Sequence, residues 1–313
     1  MTEEIVYYSK LLLFGEYSVI CDSMGLTVPL KRFSAHWHFP DKLDLPEQSD
    51  ETAAELADFL RFLEVSQTNG SLLADLNLAR FREDLRQGMV FQSDIPQGFG
   101  VGSSGALCAA VYEHYATNPL RVDDGDETLI IQLKELLAQM ESHFHGVSSG
   151  LDPLLCYLQR PLLIKNKHEI AFAGMSGDLQ FDDFSLFLID TGVIGKTGPL
   201  VNQFFEQCRQ HSFYSRFNDT LIPANNSCIQ ALVDGNTDEL FSQLPILSQF
   251  FYDHFAPMIP ENFRPVWQHG LTTGDFYLKL CGSGGGGFLL GFTQNPNATQ
   301  AYFQVHHTPV FFL

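Results

Sequence analysis

An α+β fold is what this 313-residue sequence predicts. Two observations carry the expectation. Strand-like and helix-like apolar spacings are interspersed along the chain, and they lack the regular strand–helix–strand rhythm of a doubly wound sheet. The composition, 45% hydrophobic and 18% charged, is that of a globular chain with an ample core, long enough for two domains or one large one.

Taken in order, residues 5–14 and 17–20 read as strands around a turn at Gly15. A polar, proline-bounded stretch over 40–50 leads into a helix from about Glu51, where Leu56, Phe59, Leu60 and Leu63 recur at helical spacing. A second helix is expected from Ser71, a suitable N-cap, to Gly88. Residues 89–93 read as a short strand, followed by a turn rich in proline and glycine and an alanine-rich helix over 104–116. The clearest amphipathic helix spans 127–144, with Leu133, Leu137, Met140 and Phe144 on one face. Strands are expected at 154–164, 184–190, 276–281 and 287–292, and helices at 199–217, 236–254 and 261–270. The polar, glycine-containing stretch 174–183 is the expected boundary, dividing the chain into domains 1–180 and 181–313.

Eighteen Lys and Arg stand against 37 Asp and Glu, a formal charge of −19. That balance argues against nucleic acid or an anionic membrane as partner, and it means that an anionic substrate needs a local device to hold it. No apolar run reaches the roughly 20 residues of a membrane-spanning helix, and the acidic start MTEEIVYYSK is not a secretory signal, so a cytoplasmic location is expected. The six cysteines form no CxxC pair and read as buried thiols in a reducing compartment.

Four stretches carry chemistry. In PQGFGVGSSGA, residues 96–106, spaced glycines hand over to Ser103, Ser104 and a helix. Glycine lets backbone N–H groups approach an anion, and a helix N-terminus adds unpaired donors, so the stretch suits phosphate. A capped glycine-rich turn is the plain alternative. Gly100, Gly102 and Gly105 also satisfy GxGxxG, but residues 119–122 make a poor buried strand ahead of Asp123, and no Lys-Ser/Thr pair follows to make a Walker A loop. In KLCGSGGGGF, residues 279–288, four consecutive glycines between apolar strands point to close approach of backbone to a ligand, beyond what a bulge requires. In ESHFHGVSSGLD, residues 141–152, Glu141 borders the apolar face of its helix, either solvated or held for a cation. Asp152 there suits a helix start as well as an active-site loop. His143 and His145, two apart, do not share a helix face and read as structural. In SKLLLFGEYSVI, residues 9–20, Lys10 and Glu16 flank an apolar strand.

Together these stretches resemble the GHMP small-molecule kinases, and among them the mevalonate kinase branch of bacterial type. The family patterns GKxxLxGEHxVv, PxGxGLGSSAA, ExxxHGxxSGxD and KLxGaGgGG appear here in order as SKLLLFGEYSVI, PQGFGVGSSGA, ESHFHGVSSGLD and KLCGSGGGG, spanning residues 9–287. The resemblance implies an N-terminal α+β domain with a left-handed βαβ crossover and a ferredoxin-like C-terminal domain. It implies ATP and Mg²⁺ as cofactors, with the nucleotide at the junction of those domains. The phosphates would lie on Pro96, Gly98, Gly100, Gly102, Ser103, Ser104 and Gly105, and the metal on Ser104 and Glu141. Asp152 matches the catalytic base and Lys10 its neighbouring cation. Glu16, Tyr17, Thr197, Gly282, Ser283 and Gly284 match the substrate side. The activity implied is phosphorylation of a small-molecule alcohol, mevalonate first, by a monomer or homodimer. Another GHMP kinase, acting on phosphomevalonate, homoserine or a sugar, is the alternative, and a non-catalytic GHMP-fold regulator is a further one. Three positions depart from the patterns: Ser9 for glycine, Tyr17 for histidine and Gly105 for alanine.

Overall fold

A largely apolar run over residues 6–14 builds the first strand, β1 (Val6–Phe14), within the range 5–14 expected for it. The computed structural model describes residues 5–39, 50–195 and 197–313, without the side chains of residues 50, 51 and 197. The expected polar stretch over 40–49 therefore lies outside the described residues. The chain forms two compact units, each assembled from separate segments: 1–10, 29–96 and 102–160 in the first, and 11–28, 97–101 and 161–313 in the second.

The second strand, β2 (Gly25–His38), was not foreseen. Its first six residues are all buried and Lys31-Arg32 are exposed, so no period-2 alternation marks it. The first unit holds its outer part, followed by α1 (Asp50–Thr68), α2 (Leu78–Arg86), β3 (Val90–Ser93), α3 (Ser103–Tyr115), α4 (Glu127–His145) and α5 (Leu151–Leu158). Strand β3 pairs antiparallel with β2, with Ala35 opposite Ser93 and His38 opposite Val90. Helix α3 is buried along most of its length, and α4 and α5 pack on it. Two expectations need correction here. Ser71, beyond α1, does not cap a helix: its hydroxyl donates to the Ser66 carbonyl in the last turn of α1, and Asn77 caps α2 by accepting the Arg80 N–H. Residues 154–158, expected to open a strand, continue a helix that starts at Leu151, because Pro153 falls in its first turn, where its missing N–H costs nothing, and Asp152 faces the positive end of the helix.

The second unit contains β4 (Leu162–Asn166), β5 (Glu169–Phe172), β6 (Ser185–Asp190), α6 (Thr197–Cys208), α7 (His211–Arg216), α8 (Ile222–Val233), α9 (Thr237–His254), α10 (Arg264–Thr273), β7 (Tyr277–Leu280), β8 (Phe288–Thr293), α11 (Pro296–Val305) and β9 (Val310–Phe312). Strand β4 pairs with the first residues of β2 and with β5. A separate antiparallel sheet has the order β7-β8-β6-β9, with Phe187 opposite Gly291 across β6 and β8. Helices α8, α9 and α10 pack together, and α9 and α10 lie on β7. The expected helix over 199–217 is two helices, joined by a π turn over Phe217–Leu221 to the unforeseen α8. Residues 17–20, expected as a strand, are a 3₁₀ turn over Ser18–Cys21, entered through Tyr17 at φ +63°. Both a buried Trp267, whose indole N–H donates to Ser248 Oγ at 2.9 Å, and a run of phenylalanines fill the core.

Among the described residues, no helix is long and apolar enough to cross a membrane.

Candidate active site

Two clusters of polar side chains hold the candidate residues, one in each unit.

In the first unit, three sequence stretches meet. Lys10, on β1, is buried and forms an ion pair with Asp152 at the start of α5, Nζ to Oδ1 3.0 Å. The Asp152 side chain stays about one-third exposed, so its carboxylate remains reachable. The stem of Lys10 passes over Gly102, the residue preceding α3. A Cβ built on Gly102 would stand 2.7 Å from Lys10 Cγ, and its φ of +83° is a conformation that suits glycine. Gly105 serves the same packing from inside α3. A Cβ there would stand 2.8 Å from the backbone carbonyl carbon of Asp152, so the family's alanine would push α5 away. The departure at Gly105 thus has a local cause.

Next to Gly105, Ser104 Oγ donates to Glu141 Oε1 at 3.0 Å. Glu141 projects from α4 and is buried. Ser148, in the turn after α4, donates to its other oxygen, Oε2. Burial pushes the Glu141 carboxyl up to about 7; the nearby Asp152 charge adds to the rise, and the bonds from Ser148 and Ser104, with Lys10, oppose it. A carboxylate so placed is stabilised by a cation. The donors are a hydroxyl and a carboxylate, hard oxygens that suit Mg²⁺. No group of three or more His, Cys, Asp and Glu stands ready for a metal among the described residues. Two protein oxygens, with phosphate and water completing the shell, are the arrangement that Mg²⁺ commonly adopts. The residues present fit the metal.

His145 was read from the sequence as structural, yet its Nε2 lies 3.0 Å from Ser104 Oγ. Since Ser104 gives its proton to Glu141, the imidazole nitrogen is the donor in this contact. The i,i+2 spacing hid this, because the contact is made to another helix and not along α4. His143 does pack as expected, against Phe59 and Phe62.

In the second unit, Glu16 and Lys279 form a buried ion pair at 2.5 Å, their side chains 1% and 2% exposed. Lys279 Nζ also donates to the carbonyls of Leu12 and Leu280. The pair ties the first stretch to the strand that leads into the glycine run. Tyr17 is buried between the rings of Phe204 and Phe255, at centroid distances of 4.9 and 5.0 Å. Its hydroxyl donates to the Ser283 carbonyl at 2.7 Å. Burial, with the Glu16 charge, raises its ionisation well above the usual phenol range. Glu16 and Tyr17, expected on the substrate side, are thus placed in the interior of this unit.

Gly282 and Gly284–287 all have positive φ, and several abut the chain's own backbone: a Cβ on Gly284 would stand 2.5 Å from the Met258 carbonyl oxygen, and one on Gly287 2.6 Å from Phe99 Cα. Packing within the protein accounts for these close approaches. Gly98 accepts the Gly195 N–H at 3.1 Å, and a Cβ on Gly100 would meet the Cys281 carbonyl oxygen at 2.8 Å. Pro96 and Ser103 flank these glycines in the first unit. Thr197 opens α6, and its side chain lies outside the described residues.

With this geometry in view, the relatives can be placed. Residues 72–160 match the GHMP kinases N terminal domain. The chain has the fold of these kinases. The L. major mevalonate kinase, solved in complex with R-mevalonate, superposes with a TM-score of 0.64 at 16% identity, covering 97% of this chain and 92% of that one. The Streptococcus pneumoniae phosphomevalonate kinase, in complex with phosphomevalonate and AMPPNP, gives 0.62 at 14% identity, with 99% of each chain covered. The Lactococcus lactis galactokinase complexed with galactose gives 0.62 at 13% identity, covering 100% of this chain and 93% of the other. No curated protein matches the sequence.

Two predictions follow from the buried charges. Lys279→Met leaves the Glu16 carboxylate buried without its cation and should cost about 3–5 kcal/mol of unfolding free energy, with much of it restored in the Glu16→Gln/Lys279→Met double variant. Urea titration checks both. Burial pushes the Glu141 carboxyl up to about 7 in the folded state, from its ordinary value of 4.5. The folded state therefore holds the extra proton in that interval, and its stability falls as pH rises from the lower value to the higher. In metal-free buffer, melting temperatures of Glu141→Gln should lack this component of the decline, and an identical pH profile in the variant would refute it.

Proposed function

We propose that this protein is an ATP- and Mg²⁺-dependent phosphotransferase with a small-molecule alcohol as acceptor, mevalonate first, forming 5-phosphomevalonate for isoprenoid precursors. The observation that carries the reading is the Lys10–Asp152 ion pair, formed in the same unit as the Ser104–Glu141 contact. A third-exposed carboxylate held by a buried ammonium is positioned to accept a proton from an alcohol, and Lys10 keeps it oriented while remaining able to face the transferred charge. Phosphoryl transfer depends chiefly on positioning and charge stabilisation, which this chain supplies with fixed side chains and backbone N–H groups rather than with a covalent nucleophile.

In this reading the loop carrying Pro96, Gly98, Gly100, Gly102, Ser103, Ser104 and Gly105 receives the nucleotide phosphates. The N-terminus of α3 contributes its unpaired N–H groups there. Ser104 and Glu141 would hold Mg²⁺, which would supply positive charge to offset that of the phosphates. This local cation and Lys10 are what allow a chain of net charge −19 to bind ATP. Thr197, Gly282, Ser283 and Gly284 are assigned to the substrate side. Glu16 and Tyr17 serve that side from behind, the first through Lys279 and the second through the Ser283 carbonyl. The functional domains are assigned as 1–180 for the nucleotide and 181–313 for the C-terminal part. The kinase relatives bind mevalonate, phosphomevalonate or galactose. The SKLLLFGEYSVI and ESHFHGVSSGLD stretches favour the first of these.

The test is ADP release from ATP across mevalonate, phosphomevalonate, homoserine and common sugars. Mevalonate should give turnover, and Asp152→Asn should lower kcat by about 10²–10⁴ with little change in ATP affinity. Turnover of another acceptor alone would leave the kinase reading and remove mevalonate. ATP binding with no ADP release for any acceptor would instead assign a ligand-binding regulator.

A further inference from the structure

Ser148 lies in the turn over residues 146–150 that joins α4 to α5. In the pattern ExxxHGxxSGxD this position is unspecified, so resemblance alone asks for no serine here. The structure gives its hydroxyl two partners. It donates to Glu141 Oε2 and accepts the Gly150 N–H at 2.9 Å. Gly150 immediately precedes α5, whose first turn carries Asp152. Glu141 Oε1 is held from the other side by Ser104 Oγ.

We propose that Ser148 is a positioning residue for Glu141: it fixes the carboxylate through Oε2, so that Oε1 and Ser104 Oγ face a divalent cation together. This rests on the reading of Glu141 and Ser104 as the cation-binding pair. The terminal torsion of a glutamate is broad, and a carboxylate held at one oxygen can swing about it. Anchoring the second oxygen removes that freedom before the metal arrives. Because Ser148 also accepts from Gly150, the anchor is itself fixed to the backbone at the start of the Asp152 helix. Cation-binding oxygen and proton-accepting carboxylate are thereby linked through one hydroxyl. Groups that orient a metal ligand without touching the metal commonly matter this much: their loss weakens metal affinity by about tenfold to a hundredfold.

The measurement is binding of Mn²⁺ to the full chain in the presence of a non-hydrolysable ATP analogue, followed by the loss of the free-ion paramagnetic resonance signal. Ser148→Ala should weaken Mn²⁺ binding by about tenfold or more. Ser148→Thr, which keeps the hydroxyl, should restore it. Ser148→Cys keeps nearly the same volume with a poor donor, and should weaken Mn²⁺ binding like alanine even if alanine perturbs the fold. Metal-free affinity for the analogue should be unchanged in all three. Glu141→Gln is measured alongside. If it loses Mn²⁺ while Ser148→Ala and Ser148→Cys bind as wild type, the role of Ser148 is refuted and the cation pair stands. If Glu141→Gln itself binds Mn²⁺ as wild type, the cation pair is refuted and the Ser148 proposal falls with it, whatever the serine variants do. A loss of melting temperature with unchanged Mn²⁺ binding would make Ser148 a purely structural residue and overturn the proposal.

Discussion

The Lys10–Asp152 ion pair is the interaction on which the first unit's candidate chemistry depends. A buried ammonium must have its charge met, and Asp152 meets it while keeping one side open to solvent. To reach that carboxylate, the Lys10 stem has to cross the start of α3, where a side chain would stand in its way. Gly102 clears that path. Gly105, one turn further, lets α5 approach closely enough to bring Asp152 into range. Residues as far apart in sequence as Lys10 and Asp152 are thus bound to one another by a single charge pair and two missing methyl groups.

The two buried glutamates show how the same side chain takes different parts according to its neighbours. Glu16 is matched through Oε1 by Lys279, an ammonium further held by two carbonyls, so its charge is met by a buried cation of the protein itself. Glu141 has hydroxyls as its closest partners, with a second carboxylate nearby, and burial raises its pKa. A hydroxyl can orient a carboxylate but cannot neutralise it. That difference makes Glu141, and not Glu16, the position where an external cation lowers the energy of the site. In a chain with about twice as many acidic as basic residues, such a cation would also reconcile the site with the anionic nucleotide proposed for it.

The three departures from the family patterns each have a packing explanation. Ser9, in place of glycine, is fully buried and donates to the Leu30 carbonyl at 2.9 Å. Gly105 yields space to α5. Tyr17, in place of histidine, fills an aromatic box with Phe204 and Phe255 and spends its hydroxyl on the Ser283 carbonyl. The last is the most consequential. A side chain that resemblance assigns to the acceptor is here a strut for the glycine run, held at a backbone conformation uncommon for a residue with a side chain.

By itself the sequence determined the fold class, the long amphipathic helix α4, the strands β1, β6, β7 and β8, and the three stretches in which Lys10, Ser104, Glu141 and Asp152 stand. These were legible because periodicity, glycine spacing and residue order are local properties of the chain. It did not disclose β2, whose continuous burial over its first six residues erases alternation, nor the helical form of 154–158, where an apolar run fits strand and helix equally. Only the tertiary structure decided which polar groups meet: Lys279 with Glu16, Ser148 and His145 with the Glu141–Ser104 pair, Tyr17 with Ser283. Those contacts join residues with no shared period. Their partners are selected by close packing and by the need to satisfy buried charge, and both arise only once the chain has folded.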